Sequence, residues 1–236
     1  MNDYLNNDQS VSSDVARDFI RSVYTYMFAA LSISGIIAYT IGTNPELMQR
    51  LFVSETGVSP LFYVVMFSPI IIVFAMSIGL ERMSMRTILL LFIVYSVLMG
   101  LSLSVIFMAY TLGSIALTFF AASGAFGIMA VLGYTTKTDL TKFGSLLYMA
   151  LGGIIIASII NMFMQSDGMD KMITYIGVFV FTGLVAYKMQ MLKELAHNAQ
   201  MDAEQRNKLA LFGGLSLYIT FINLFLTLLR LFGSRD

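Results

Sequence analysis

The chain has no cysteine and no tryptophan, a single histidine, and only 12% charged residues over 236 positions. Without cysteine it can form no disulfide, thiolate nucleophile or thiolate metal site, and it carries no clue to redox compartment. His197 lies in a charged loop with no second imidazole to share a metal, so a surface position is expected and neither metal nor cofactor is assigned. A soluble domain of this length carries about twice the charged fraction. Hydrophobic residues make up 58% and the formal net charge is +0, so bulk charge points to neither nucleic acid nor an acidic partner. The polar surface is too small for a water-soluble globule. An integral membrane protein is expected, with the lipid bilayer as its first partner.

The N-terminal stretch Met1–Arg21 is polar, with Asp3, Asp8, Asp14 and Asp18 offsetting Arg17 and Arg21, unlike the positive opening of a cleavable signal. Met1–Asp14 is expected to be a loosely ordered tail, with Ser12 or Ser13 capping a short lead-in to the first helix. The domain reading is a polar cytoplasmic tail over 1–21, one transmembrane bundle over 22–232, and a short tail over 233–236.

What the chain has is long apolar runs. A spanning helix needs roughly 20 mainly apolar residues to cross about 30 Å of hydrocarbon. Seven segments qualify: Ser22–Ile41, Pro60–Leu80, Thr87–Tyr110, Gly113–Tyr134, Phe143–Met164, Met172–Leu192 and Leu209–Phe232. Period-two alternation is absent, which argues against an outer-membrane barrel. The breaks are short and polar, the shortest at Thr111–Leu112 and the two longest at Gly42–Ser59 and Lys193–Lys208. The fold class is therefore an all-α membrane protein with seven transmembrane helices. With the N-terminus cytoplasmic, that side holds all the lysines and arginines except Arg50, Lys171, Arg230 and Arg235, a positive-inside bias. A multi-pass protein of a bacterial inner membrane is expected, N-terminus inside and C-terminus outside, since no organelle retention tail is present.

Close helix approach is expected at small residues four apart, Ala121/Ala125 and Ser123/Gly127, and at Gly152-Gly153. The 18 methionines and 19 phenylalanines are bundle filler.

Titratable groups are almost absent from the spans. The first five hold none between their ends, the sixth none before Lys188, and the seventh none from Leu209 to Leu229. Proton-coupled transport needs such a group at mid-membrane. No paired intramembrane aspartates, Ser/His dyad or His-Glu-x-x-His helix occurs, so no enzyme is expected. A retinal protein would need a lysine inside the last helix, whereas Lys208 stands at its mouth. The polar residues left are Asn161, Tyr187, Lys188, Gln190, Tyr218, Thr220 and Asn223. Tyr218, Thr220 and Asn223, at spacings of two and three, are expected to share part of one face. Thr220 should lie about 16 Å into its helix and Lys188 about 6 Å from the end of its own. Two readings of Lys188 stand open: it snorkels its ammonium to the interface, or it faces the bundle and gates it.

Two stretches carry a resemblance. Gly100-Leu-Ser-Leu-Ser-Val-Ile-Phe-Met-Ala-Tyr-Thr-Leu-Gly-Ser-Ile-Ala, running on through Thr118-Phe-Phe to Gly133-Tyr-Thr-Thr-Lys-Thr-Asp-Leu140, resembles the signature region of the Bax inhibitor-1 family. Phe221-Ile-Asn-Leu-Phe-Leu-Thr-Leu-Leu-Arg230 resembles its last helix. The likeness spans about Phe19 to Gly233. It implies seven helices with the seventh central, wrapped by the other six. It also implies a pH-sensitive calcium leak or a role in membrane calcium handling, and in some bacteria partnership with a membrane protease.

The family places one aspartate after the tyrosine of the sixth helix and another midway along the seventh, a proton-sharing pair latched to an arginine near the end of helix two. Here Tyr187 is followed by Lys188, and Leu217-Tyr218-Ile219 by Thr220. Paired carboxylates titrate together and attract a divalent ion, and a lysine does the reverse. The resemblance therefore implies a pore or gate at Lys188, Thr220, Tyr187, Tyr218 and Asn223 from which proton-gated calcium leak has been lost or altered. Helix two ends at Glu81-Arg82, and Glu81 is expected to pair with Lys188 as a latch with exchanged charges. The alternatives are a non-conducting regulatory protein that binds a membrane protease or other complex, and a small-solute transporter using the polar face of helix seven.

Overall fold

A computed structural model describes residues 2–54, 57–80, 82–198 and 202–234. The elements are α1 (Asn2–Gly42), α2 (Pro45–Phe52), β1 (Val53–Ser54), β2 (Gly57–Val58), α3 (Pro60–Gly79), α4 (Met85–Ser104), α5 (Leu112–Thr135), α6 (Thr141–Met164), α7 (Asp167–Asn198) and α8 (Ala203–Phe232). All but α2 are long and apolar enough to cross a bilayer, which makes seven spanning helices among the described residues. The protein is an all-α, seven-span membrane protein.

Several boundaries differ from expectation for local reasons. α1 begins at Asn2, so the polar segment expected as a loose tail with a cap at Ser12 or Ser13 instead continues the first helix. The break after α1 holds the short helix α2, started by Asn44, whose Oδ1 accepts from the backbone N–H of Glu46 and Leu47. Pro45 follows at the first helical position, where its missing N–H costs nothing. After α2, β1 and β2 pair antiparallel. α4 tightens into a 3-10 turn over Val105–Met108 before the break ahead of α5. α7 and α8 run past their apolar stretches, 32 and 30 residues long, because the polar turns between them stay helical. A Lys208–Glu204 ion pair, one turn apart, supports the start of α8.

The helices group into two compact units, each described by itself. One comprises α1 from Arg21 onward, α2, the β1–β2 hairpin, α3, α4 and α8 up to Leu215. Met48, Phe52 and Val65 form an apolar cluster there, with Ile41, Phe62 and Leu101 packed around it. In the same unit Gly100 lies so close to α1 that an added Cβ would stand 2.8 Å from the Ser34 carbonyl oxygen. The other unit comprises α1 up to Ile20, α5, α6, α7 and α8 from Ser216. In it α5 and α6 each pack along α7. A Cβ on Gly133 would collide with the Ala186 backbone, and one on Gly144 with the Tyr187 ring.

These contacts correct the expected sites of close approach. Gly127, Gly152 and Gly153 have open space where a Cβ would stand, and Ala121 is exposed. α5 instead buries Ile115, Thr118, Ala122, Phe126, Ala130 and Gly133, a stripe at spacings of three and four that leaves Ala121, Gly124 and Gly127 facing outward. Burial is concentrated in the last two spans: 61% of the α7 window and 67% of the α8 window, against no more than 39% in any other.

Candidate functional site

α7 brings its charge to α8. Lys188, 8% exposed, donates from Nζ to Thr220 Oγ1 at 2.8 Å and to the Ser216 carbonyl at 3.2 Å. The Thr220 hydroxyl in turn donates to the same Ser216 carbonyl at 2.9 Å, the i−4 back-bond usual for a helical threonine. Lys188 thus does not snorkel; its side chain faces α8, and whether it gates the bundle is a separate matter. The ammonium is turned onto α8 and not out to an interface. Because α7 continues to Asn198, Lys188 lies ten residues from the end of its helix, about 15 Å by helical rise.

A cavity of about 480 Å³ extends from this contact. α8 lines it with Thr220, Asn223, Thr227 and Arg230, spaced three, four and three, so that one stripe of the helix is polar where its other faces are apolar. The stripe satisfies itself along the helix: Asn223 Nδ2 donates to the Ile219 carbonyl at 2.8 Å and Thr227 Oγ1 to the Asn223 carbonyl at 2.6 Å. α7 adds Thr174, Gly177 and Lys188, and α6 adds an apolar wall of Leu151, Ile154, Ile155 and Ile159. At the far end Arg230 meets Asp170 of the first α7 turn at 3.5 Å, both half exposed. Among the described residues no carboxylate lines the cavity, and none stands within ion-pair distance of Lys188.

Of the residues expected to act together, Lys188, Thr220 and Asn223 meet in this cavity. Tyr187 and Tyr218 do not line it. Tyr187 packs edge-on against Tyr148, ring centroids 6.0 Å apart. Tyr218, two residues before Thr220 and so turned about 200° around α8, is fully buried on another face; the shared face expected for it holds only for Thr220 and Asn223. Glu81, the expected latch partner, lies outside the described residues. Arg82, exposed in the turn after α3, belongs to the other unit. Asn161 serves locally, its Oδ1 accepting from the Ser166 N–H where α6 ends with Gln165 in the left-handed conformation.

Sequence reasoning missed two parts of this region. The first is the Ser216 carbonyl, which a side-chain inventory cannot show. Its signal was the four-residue step to Thr220. The second is the role of Gln190, named among the polar residues of its span: 7% exposed, it lies two residues past Lys188, about 3 Å along α7. It clamps the α5–α6 loop, its Nε2 donating to the Thr138 carbonyl and its Oε1 accepting from the Leu140 N–H, both at 2.8 Å. Lys193 adds a bond from Nζ to the Tyr134 carbonyl at 2.7 Å and stands 5.2 Å from the Tyr134 ring centre. In the same loop, side-chain and backbone hydrogen bonds from Thr141 hold the Asp139 carboxyl below the usual carboxylate range. The C-terminal polar turns of α7 thus fasten the α5–α6 loop instead of dangling as a break.

Comparison with known proteins gives a consistent result. The family profile described as "Inhibitor of apoptosis-promoting Bax1" matches residues 16–236. A protein of Borreliella burgdorferi is 42% identical over 221 residues, covering 94% of each chain. The inner membrane protein YbhL of Escherichia coli is 39% identical over 218 residues, covering 92% of each. A membrane protein of Streptococcus pyogenes is 32% identical over 240 residues, covering 100% of both.

Proposed function

Because this chain belongs to the Bax inhibitor-1 family, we propose that it is an inner-membrane ion-homeostasis protein in which divalent-cation leak along α7 and α8 is shut by Lys188. The observation that carries this reading is the Lys188 ammonium seated 2.8 Å from Thr220, in a cavity whose described lining holds no acid. Calcium takes six to eight oxygen ligands, carboxylates prominent among them. A divalent ion passing about 4 Å from a lysine ammonium meets roughly 8 kcal/mol of repulsion at an effective dielectric of 20, twice the value for two unit charges. Hydroxyls and amides of the α8 stripe offset little of that. No catalytic role is assigned, since the polar residues here hold each other and α8's own carbonyls and leave no nucleophile poised beside a base. The inner-membrane assignment is supported by the likeness to the Escherichia coli protein, and the inward N-terminus by the positive-inside bias alone.

Dye-reported calcium flux into proteoliposomes tests this reading. The natural chain should pass little or no calcium at any pH. Lys188→Asp combined with Thr220→Asp should gain pH-dependent flux, because two adjoining carboxylates titrate in two coupled steps and attract a divalent cation once both are ionised. Equal flux from the two proteins, both shown folded by their unfolding midpoints, would contradict it. Absence of flux from both, together with recovery of a membrane protease on pulldown, would favour the non-conducting interaction role.

A further inference from the structure

We propose that the cavity among α6, α7 and α8 binds an amphiphilic monocarboxylate, its carboxylate on the Lys188 ammonium and its apolar body against the Leu and Ile wall of α6. This goes beyond the closure of a cation path and does not depend on whether ions pass.

Among the described residues, no acid balances the charge at the Lys188 end. Lys188 is more than nine-tenths buried, and the partners it meets, a hydroxyl and a backbone carbonyl, are neutral. An ammonium has three N–H donors. Two are used, which leaves one on a side chain that lines the cavity. Asn223, one turn along α8 from Thr220, spends one amide hydrogen on the Ile219 carbonyl and has a second to give. A carboxylate offers two acceptor oxygens to these two donors.

The ligand carries a single negative charge because, among the described residues lining the cavity, Lys188 is the one cation without an acid beside it: Arg230, at the other end, is paired with Asp170. Its size follows from the space. A volume of about 480 Å³ greatly exceeds what a halide fills and falls within the range of organic-ligand pockets. Its apolar body follows from Leu151, Ile154, Ile155 and Ile159. The α7 side runs from Ile173 to Lys188, roughly 22 Å by helical rise, long enough for an extended chain. Ile155 and Ile159 line the cavity and are also more than half exposed, so the α6 wall is open at its edge to an apolar body arriving from the bilayer.

The test uses the full chain in phosphatidylcholine nanodiscs, with the unfolding midpoint as readout. Benzoate in the buffer is compared with benzamide, and oleate in the bilayer with oleyl alcohol. At least one acid should raise the midpoint in a saturable way while its uncharged counterpart does not. A response to benzoate identifies an aqueous source, and a response to oleate alone a bilayer source. Lys188→Met should weaken the apparent affinity at least tenfold, and Asn223→Leu should weaken it less. The proposal is overturned if neither acid shifts the natural protein, if the uncharged compounds shift it equally, or if Lys188→Met binds as well as the natural chain. Should Lys188→Met fail to fold, the acid-against-neutral comparison on the natural protein still decides. Flux does not enter this measurement, so its failure and that of the closed-path reading are told apart.

Discussion

The cavity has a cation at each end, and the two are treated differently. Arg230 stands at the rim beside Asp170, both half exposed, in a pair 3.5 Å apart. Lys188 sits deep, 8% exposed, with a threonine hydroxyl and a carbonyl for company. The rim pair is of a kind worth between nothing and about 1 kcal/mol, since water screens it and both side chains lose freedom to hold it. The buried ammonium has no such discount: desolvating an ion costs several kcal/mol even after the surroundings relax. That difference between the ends is what supports the role proposed for Lys188, and it supports none for Arg230.

Substitutions at the two ends break or sharpen this comparison. The largest expected effect is Lys188→Asp alone, which sets a carboxylate against the Ser216 carbonyl with no cation near. A loss of about 3–5 kcal/mol in unfolding free energy is expected, the size seen when a buried charge is left uncompensated. Lys188→Met, in contrast, should cost nothing or stabilise, because Thr220 still donates to Ser216 and leaves both satisfied. Measuring the two in one mixed-micelle titration separates loss of charge from reversal of charge. Gln190→Leu comes next. It strands the Leu140 N–H and the Thr138 carbonyl, and about 1–3 kcal/mol should be lost for each group that water does not reach. Glu81→Gln tests the exchanged latch: a loss near 3 kcal/mol would establish a buried pair with Lys188, and a loss under about 0.5 kcal/mol would exclude one. Smallest is Asp170→Asn at the rim, under about 1 kcal/mol and smaller still at high salt.

How much of this could be read in the sequence follows from what each feature depends on. The seven spans are set by length and hydrophobicity, so Pro60–Leu80 and Phe143–Met164 match α3 and α6 to within two residues at either end. Helix ends in polar sequence are different. Lys193–Asn198 and Ala203–Lys208 carry no apolar run, yet stay helical through local pairs such as Lys208–Glu204 and through Gln190 and Lys193 gripping the α5–α6 loop. The small-residue stripe of α5 misled because small residues permit close approach without requiring it; the approach occurs at Gly133, where the Ala186 backbone leaves room for no side chain. At the site, Lys188 and Thr220 were legible as odd residues in apolar helices. Their depths were not, because α7 and α8 run past the apolar stretches and Thr220 lies about 26 Å into its helix, not about 16 Å. Their meeting was not, since residues 32 apart on two helices are joined only by how those helices rotate, and a backbone carbonyl completes the contact.

The inward turn of Lys188 is the point from which both the closed cation path and the carboxylate site follow, and amine footprinting measures it directly. The folded protein is treated with a water-soluble acetylating reagent and each lysine is scored by mass spectrometry. Lys142 and Lys171, both exposed, serve as the internal standard. Lys188 should remain unmodified while those two react fully, and should react only once the protein is unfolded. Acetylation of Lys188 in the folded protein at the rate of Lys142 would mean that its ammonium reaches the interface, and would contradict the seat on α8.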